Sequence, residues 1–465
     1  MKIKFLGACQ QVTGSSYLVE GGGLRILIDC GYYQEREYLY RNWEKFPVSP
    51  ESIDFLLLTH IHLDHSGLIP KFVREGFSNS ILTTSPSQDL LPIILKDSAR
   101  IQEEDAAFKK KRHRKEGRKG PHPEIPLYTL QDAERALPLV KKVEYNQSIK
   151  LNSHVSVRFY EAGHILGSAM IKLTITEKNQ SKSILFSGDM GQWNKPIIRN
   201  PTRFKKADYV VMESTYGSRN HEDSQNISQL LKDTINTTVE AKGNVVIPTF
   251  AVERAQELLF YLSELARKDQ IPYLMAFLDS PMAVDVTQVF PKHKNYFDQE
   301  TKDILNRGMN IFRFPGLKLV HSVGESKAIN SIKSSCIIMA GSGMCTGGRI
   351  KHHLLHNISR PESTVLFVGY QAAGTLGRKI VEKNPEVRIH GHHHEVKARI
   401  QQIHGFSAHA DKDALLNWAK SFQTSPQQIF LTHGEKEEAT SLAESIRSQK
   451  GWHVQIPEYL QEYEL

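Results

Sequence analysis

The chain has few cysteines, no long apolar run, and almost no net charge outside one short stretch. Its four cysteines, Cys9, Cys30, Cys336 and Cys345, lie far apart and form no C-x-x-C pair. That argues against a disulfide scaffold and a cysteine zinc site, and fits a reducing cytoplasm. No apolar run approaches the roughly 18 residues of a membrane span, so no membrane association is expected. The opening Met1–Cys9 stretch is too short in apolar residues for a signal peptide, and Gln10 and Gln11 follow at once. With 465 residues, 40% hydrophobic and 24% charged, the composition is that of a soluble folded chain of two or three domains.

Lysine and arginine number 59 against 51 acids, a formal charge of +8. Residues 109–120 read KKKRHRKEGRKG, with eight bases and one acid, so +7 of the total sits there. Lys109, Lys110, Lys111, Arg112 and Arg114 head this run, which is expected to be a surface loop that attracts a polyanion. A solvated insertion with no partner is the bland alternative.

Short β-branched or aliphatic runs alternate with helical patterns, which indicates a layered α/β architecture. Strands are expected at Leu24–Ile28, Phe55–Leu58, Ile184–Phe186, Tyr209–Met212, Val245–Ile247, Ile337–Met339, Val365–Val368 and Ile429–Leu431. Helices are expected at Glu253–Arg267 and Glu435–Gln449, from apolar residues at helical spacing. Five of these strands run straight into an ionisable residue: Asp29, His60, Asp189, Glu213 and His433. Carboxyl ends of strands are where α/β sheets bind ligands. Five such endings argue for a site.

The chain has 21 histidines, many of them grouped. His60-Ile61-His62-Leu63-Asp64-His65 packs three imidazoles and a carboxylate into six residues, a donor set suited to zinc, manganese or iron. One turn cannot complete two coordination spheres, so further ligands must come from distant segments. His164, Asp189 and His433 are the candidates, each at a glycine-flanked strand end.

HIHLDH, together with AGHILGS, SGDMG and the early Asp29, resembles the metallo-β-lactamase fold. The later stretches ESTYG, PTFAVERAQELL, DSPMA, GSGMCTGGR, GYQAAGTLGR, GFSAHAD and LTHGE look like its β-CASP branch of nucleases, of the type found in the 73-kDa mRNA 3′-end cleavage subunit and its bacterial and archaeal relatives. The resemblance covers essentially the whole chain. It implies an αββα sandwich with an inserted α/β β-CASP domain. The expected boundaries are 1–212 and 390–465 for the sandwich and 213–389 for the insertion.

Carried over by position, the resemblance implies one metal on His60, His62 and His164, a second on Asp64, His65 and His433, and Asp189 shared between them. Asp29 is implied to orient neighbouring ligands by hydrogen bonds. Glu213 and His409 match the pair that the branch adds beside the metals, and with Asp64 they are the implied catalytic residues. The cofactor expectation is two Zn2+, with Mn2+ as an alternative. The implied activity is hydrolysis of single-stranded RNA to a 3′-hydroxyl and a 5′-phosphate. A DNA nuclease of the same branch and an RNA-binding scaffold subunit are the rival readings. LTHGE favours RNA over DNA, and the full ligand set speaks against a scaffold. Whether the chain forms a homodimer is left open.

Three other features compete for attention. His390, His392, His393 and His394 are expected to be an exposed turn, and His352, His353 and His356 a helix face. Gly374, Thr375, Gly377 and Arg378 form a glycine-rich loop before a helix, a candidate phosphate cradle.

Overall fold

Strands form at Leu24–Ile28, Phe55–Leu57, Gln180–Phe186, Tyr209–Glu213, Val245–Pro248, Cys336–Ala340, Thr364–Phe367 and Gln428–Thr432, within a few residues of the apolar runs that announced them. The computed structural model describes residues 1–117, 124–221, 226–332, 335–372 and 374–465. They divide into two units. One comprises Met1–Trp193, Asn200–Asn220 and His409–Leu465; the other comprises Asn194–Arg199 and His221–Ala408.

The first unit holds two seven-stranded sheets. One has the order Glu462–Glu464, Lys2–Phe5, Tyr17–Gly21, Leu24–Ile28, Phe55–Leu57, Ser80–Thr84, Val140–Val143. The other has the order Val454–Gln455, Gln428–Thr432, Tyr209–Glu213, Gln180–Phe186, Ala169–Glu177, Val155–Glu161, Ser148–Lys150. Ile3, Phe5, Val19, Ile26 and Ile28 of the first share a core with Phe159, Ile171, Leu173, Phe186 and Phe430 of the second. The second sheet's outer face packs Leu185, Val210, Met212 and Leu431 against Leu415, Trp418, Leu442 and Ile446 of two helices. Tyr209–Glu213 is buried at every position, so it reads as a continuous apolar run and not an alternating one. In each sheet the strands that carry the candidate ligands run parallel, pairing Ile28 with Leu57, Phe186 with Val211 and Met212 with Leu431. Their carboxyl ends therefore fall on a common edge of each sheet.

The second unit is built on one six-stranded parallel sheet, in the order Leu317–Leu319, Met275–Asp279, Cys336–Ala340, Val245–Pro248, Thr364–Phe367, Arg399–Gln402. Helices cover it, and Ile350, Leu354 and Ile380 complete its core with Val246, Ile338 and Val365.

Four expectations differ from the structure. Residues 390–408 belong to the second unit, not the first, because Arg399–Gln402 extends the parallel sheet beside Thr364–Phe367. The first unit continues to Asn220, where the Asn220 amide bonds Asp413 at 2.8 Å. His392–Glu395 is a strand paired antiparallel with Glu386–Ile389, exposed as expected but not a turn. Lys109–Glu116 is helical, the end of a 32-residue helix Ser85–Glu116 closed by Gly117 in the left-handed region at φ 63°. Lysine and arginine are good helix formers, and cations at a helix C-terminus complement its dipole. Arg118, Lys119 and Gly120 of the same run lie outside the described residues. Among the described residues no helix is long and apolar enough to cross a membrane.

Candidate metal centre

His60–Ser66 leaves the strand Phe55–Leu57 in a turn pinned on all sides. The Ser66 hydroxyl donates to the Ile61 carbonyl at 2.8 Å, Ser15 N–H to Asp64 O at 2.8 Å, and Cys30 N–H to His65 O at 2.7 Å. A Cβ on Gly31 would sit 1.7 Å from the Asp64 carbonyl oxygen, so the close approach that fixes this turn requires glycine.

The turn meets the strand ends of the other sheet. Donor atoms of His60, His62, His164 and Asp189 lie within 4.8 Å of one another, as do those of Asp64, His65 and His433, and those of Asp189, Glu213 and His409. Asp189 faces both imidazole groups. Its Oδ2 lies 3.4 Å from His60 Nε2 and 3.5 Å from His164 Nε2; its Oδ1 lies 3.1 Å from His65 Nε2 and 3.4 Å from His433 Nε2. Asp64 Oδ2 is 3.4 Å from His433 Nε2.

Hydrogen-bond accounting fixes which ring nitrogens face inward. Thr59 has one hydroxyl proton, which it gives to Asp29 Oδ2 at 2.8 Å, so it accepts from His60 Nδ1–H at 3.1 Å. His65 Nδ1–H donates to the same Asp29 oxygen at 2.7 Å. The Thr215 hydroxyl donates to the His433 carbonyl at 3.0 Å and accepts from His433 Nδ1–H at 3.0 Å. In the neutral form of all three rings Nε2 is then left with its lone pair. Yet His65 Nε2 and His433 Nε2 are 3.1 Å apart, and His62 Nδ1 lies 3.1 Å from His60 Nε2 and 3.2 Å from His164 Nε2. The facing lone pairs of neutral His65 and His433 repel at such a distance, and a cation bound by both removes the repulsion. Asp189 Oδ1 is also buried without a hydrogen bond among the described residues. The donor set fits a metal pair.

The protein's own field agrees. Burial, reinforced by the neighbouring His65, pushes His60 down to about 3, and burial, then His409, holds His164 well below the usual range. Burial would raise Asp64 and Asp189, but His433 and the surrounding imidazoles outweigh it and hold both below the ordinary carboxylate value. Neutral imidazoles and ionised carboxylates are the forms that bind metal. His65 and His433 go the other way: burial opposes both, but Asp189, with Asp29 at His65 and Asp64 at His433, holds them above the usual value, a sign of the negative potential a cation would meet.

His409 stands beside this cluster, held by an antiparallel bridge to Gly191 and by Ala410 N–H on the Met190 carbonyl at 2.7 Å. Its Nδ1 is 3.1 Å from Glu213 Oε2, and its Nε2 is 3.9 Å from Asp189 Oδ2. Glu213 is also hydrogen-bonded by Met190 N–H. Against its burial, Glu213 raises His409 to about 9. The His409 side chain keeps 21% of its surface exposed, where His60 has none, so it can reach a substrate.

Family models match this chain over three stretches: the metallo-beta-lactamase superfamily at residues 10–209, the Beta-Casp domain at 255–380, and the Zn-dependent metallo-hydrolase RNA specificity domain at 393–457. The chain is 36% identical to Ribonuclease TTHA0252 of Thermus thermophilus over 96% of both chains. It belongs to the Beta-Casp branch of the metallo-beta-lactamase superfamily. It is also 30% identical to transcription termination factor FttA of Methanosarcina mazei, over 96% of this chain and 69% of that one. A solved structure of a protein of unknown function from Enterococcus faecalis V583 matches with a TM-score of 0.55 at 11% identity, covering 99% of each chain, a likeness of fold alone.

Within this Beta-Casp chain, the remaining expected site residues divide. Lys109, Lys110, Lys111, Arg112 and Arg114 lie exposed on the last turns of the helix Ser85–Glu116. Of Gly374, Thr375, Gly377 and Arg378, the last three have structural partners. Thr375 caps the six-residue helix Leu376–Val381 by accepting from Arg378 N–H at 3.1 Å, and the Arg378 guanidinium pairs with Glu382 at 2.7 Å. A Cβ on Gly377 would lie 1.7 Å from Gln371 Oε1, so the close packing there requires glycine. Thr59 and Thr215, whose hydroxyls meet His60 and His433, are the candidate residues that sequence reasoning passed over. A hydroxyl beside a strand-end histidine or acid is the signal that could have found them.

Proposed function

We propose that the chain is a zinc-dependent ribonuclease that hydrolyses single-stranded RNA to a 3′-hydroxyl and a 5′-phosphate. The observation that carries this reading is the placement of Asp189 between two imidazole groups, with His409 on Glu213 at their side. His60, His62 and His164 would hold one metal, Asp64, His65 and His433 the other, and Asp189 would be shared. When bound, the pair supplies Lewis-acid neutralisation of phosphate charge and a water acidic enough to attack at neutral pH. Asp64, 17% exposed where Asp189 is 1%, would orient that water. His409 Nε2–H protonates the departing 3′-oxygen as the P–O3′ bond breaks, and Glu213 on Nδ1 fixes the ring and steadies its charge. The ribonuclease named among the relatives, at 36% identity over 96% of the chain, supports RNA as the substrate.

The test is an RNA labelled at either end, digested beside its circular form and a matching DNA. RNA cleavage leaving 3′-hydroxyl ends supports the reading; preference for DNA sinks it. His409→Ala should keep the full metal content and lose on the order of 10²–10⁴ in rate. A p-nitrophenolate leaving group, which needs no proton, should be spared much of that loss. Metal loss in this variant would make His409 a ligand.

A further inference from the structure

We propose that the exposed face of the C-terminal part of the helix Ser85–Glu116 is a docking rail for single-stranded RNA, with Phe108 stacking on a base and Lys111, Arg112 and Lys115 meeting phosphates. The proposal rests on the ribonuclease reading and says where the strand is held outside the metal centre.

The helix has one packed edge, carrying Leu91, Leu95, Ala99, Ala106 and His113, all buried. His113 anchors its far end through a 2.6 Å contact with Glu124. At 100° per residue, Phe108, Lys111, Arg112 and Lys115 (i, i+3, i+4, i+7) lie on the opposite face. Phe108 is 63% exposed there. A lone exposed aromatic is ordinary; one with a ladder of cations beside it is the combination that binds single strands, base on ring and phosphate on charge. Phe108 to Lys115 spans roughly 10 Å at 1.5 Å per residue. Among the described residues only Arg112, of the six cations between 109 and 115, has an ion-pair partner, Glu116 at a long 3.9 Å. The cations repel one another, and a polyanion relieves that repulsion.

The helix that carries the rail also packs against the candidate metal turn. Leu63–Ser66, which carries Asp64 and His65, packs against this helix. Tyr32, whose N–H bonds the Leu63 carbonyl at 2.8 Å, has its phenol pushed up by burial and then by the charge of Asp105. Phe108 is one turn beyond Asp105.

Glu104 and Asp105 precede Phe108, so the face is acidic on one side and basic on the other. Two copies could match such faces antiparallel. The apolar surface on offer is Ile101 and Phe108, well short of the roughly 800 Å² per partner that a stable dimer buries, whereas one stacked base and three phosphates need no more. Glu104 and Asp105 instead mark where a strand must leave the helix.

The experiment measures the affinity of a phosphorothioate-linked oligoribonucleotide, which keeps its charges and resists hydrolysis, across a salt series. Phe108→Ala should weaken binding about 5- to 100-fold with the salt slope unchanged, and Phe108→Trp should restore it. Lys111→Gln, Arg112→Gln and Lys115→Gln together should flatten the slope by about 2, at about 0.7 per phosphate contact. Hydrolysis of a very short RNA should persist in every variant. Unchanged affinity in Phe108→Ala, or an unchanged slope in the triple variant, overturns the rail. So does a Phe108-dependent dimer in sedimentation with RNA affinity intact, which would assign the face to a second copy. A wild-type chain that binds but hydrolyses no RNA would defeat the ribonuclease reading and leave the rail standing.

Discussion

His60–His65 and His390–His394 are both dense in histidine, and they lie in opposite environments. The first stretch leaves a buried strand and turns His60 and His65 inward onto Asp189. The second forms the tip and returning strand of an exposed hairpin, where His393 pairs with Glu386 at 2.8 Å and His390 stacks on His352 at 4.5 Å. A third case separates burial from ligation. His353 is fully buried in the second unit, yet both its ring nitrogens meet oxygen, Nε2 on Asp279 at 2.6 Å and Nδ1 on Asn330 at 2.9 Å. In His60, His65 and His433 one nitrogen meets oxygen, and the other meets an imidazole nitrogen and the Asp189 carboxylate together. What sets the proposed ligands apart is thus neither histidine density nor burial, but a ring committed at one nitrogen and crowded by imidazole and carboxylate at the other.

The largest test of this contrast is Asp189→Ala, which removes the carboxylate both groups share. Elemental analysis should show at least one metal lost per chain, and hydrolysis should fall on the order of 10²–10³-fold or more. Wild-type metal content with undiminished hydrolysis would show that the two groups do not depend on Asp189.

Asp279→Asn breaks the metal-free histidine pair instead. Removing the charge should cost about 3 kcal/mol at neutral pH, the order expected for one partner of a buried pair. The sign with pH follows from the carboxyl. Burial pushes Asp279 up, but hydrogen bonds from His353, Ser326 and Arg349 outweigh it and hold the group below its ordinary 3.8. A depressed folded value stabilises above the unfolded value and is lost as pH falls through the folded one. The gap in Tm between wild type and variant should therefore be widest near neutrality and close as pH falls below 3.8. A gap independent of pH would mean that Asp279 contributes by packing alone.

Thr215→Val tests the committed nitrogen. It removes the acceptor for His433 Nδ1–H while keeping the side-chain volume, so zinc should bind about 10- to 100-fold more weakly in chelator competition, and Thr215→Ser should recover. Unchanged affinity would show that the strand end alone orients His433.

Legibility in the sequence followed the same division. Asp29, His60, Asp189, Glu213 and His433 could be read because an apolar strand ending in an ionisable group is a local pattern. Thr59 and Thr215 could not, since hydroxyls are common at strand ends and their role appears only when the partner ring is in place. The pairing of His353 with Asp279 joins residues 74 apart, and no local pattern announces it. Arg399–Gln402, sequence RIQQ, is too polar to read as a strand, so the first unit was expected to resume at 390. Lys109–Glu116 was read as a loop because its charge density suggested solvation, although the same residues are compatible with an exposed helix.

The smallest expected effect belongs to the decoy. His392→Ala, His393→Ala and His394→Ala together remove three imidazoles, as many as His60–His65 contains. Among the described residues, the groups of donors that converge closely enough to hold an ion are drawn from His60, His62, Asp64, His65, His164, Asp189, Glu213, His409 and His433, and none includes the hairpin. Around the hairpin, Glu386 is taken by His393 and Glu395 by Lys397. A zinc ion there would gain few ligands and displace existing pairs. Metal content and RNA hydrolysis should therefore match wild type, and stability should shift by no more than about 0.5 kcal/mol per exposed substitution. If the triple variant binds less zinc than wild type under metal-limited conditions, histidine density alone suffices to bind metal in this chain, and the requirement for a strand end with a shared carboxylate fails.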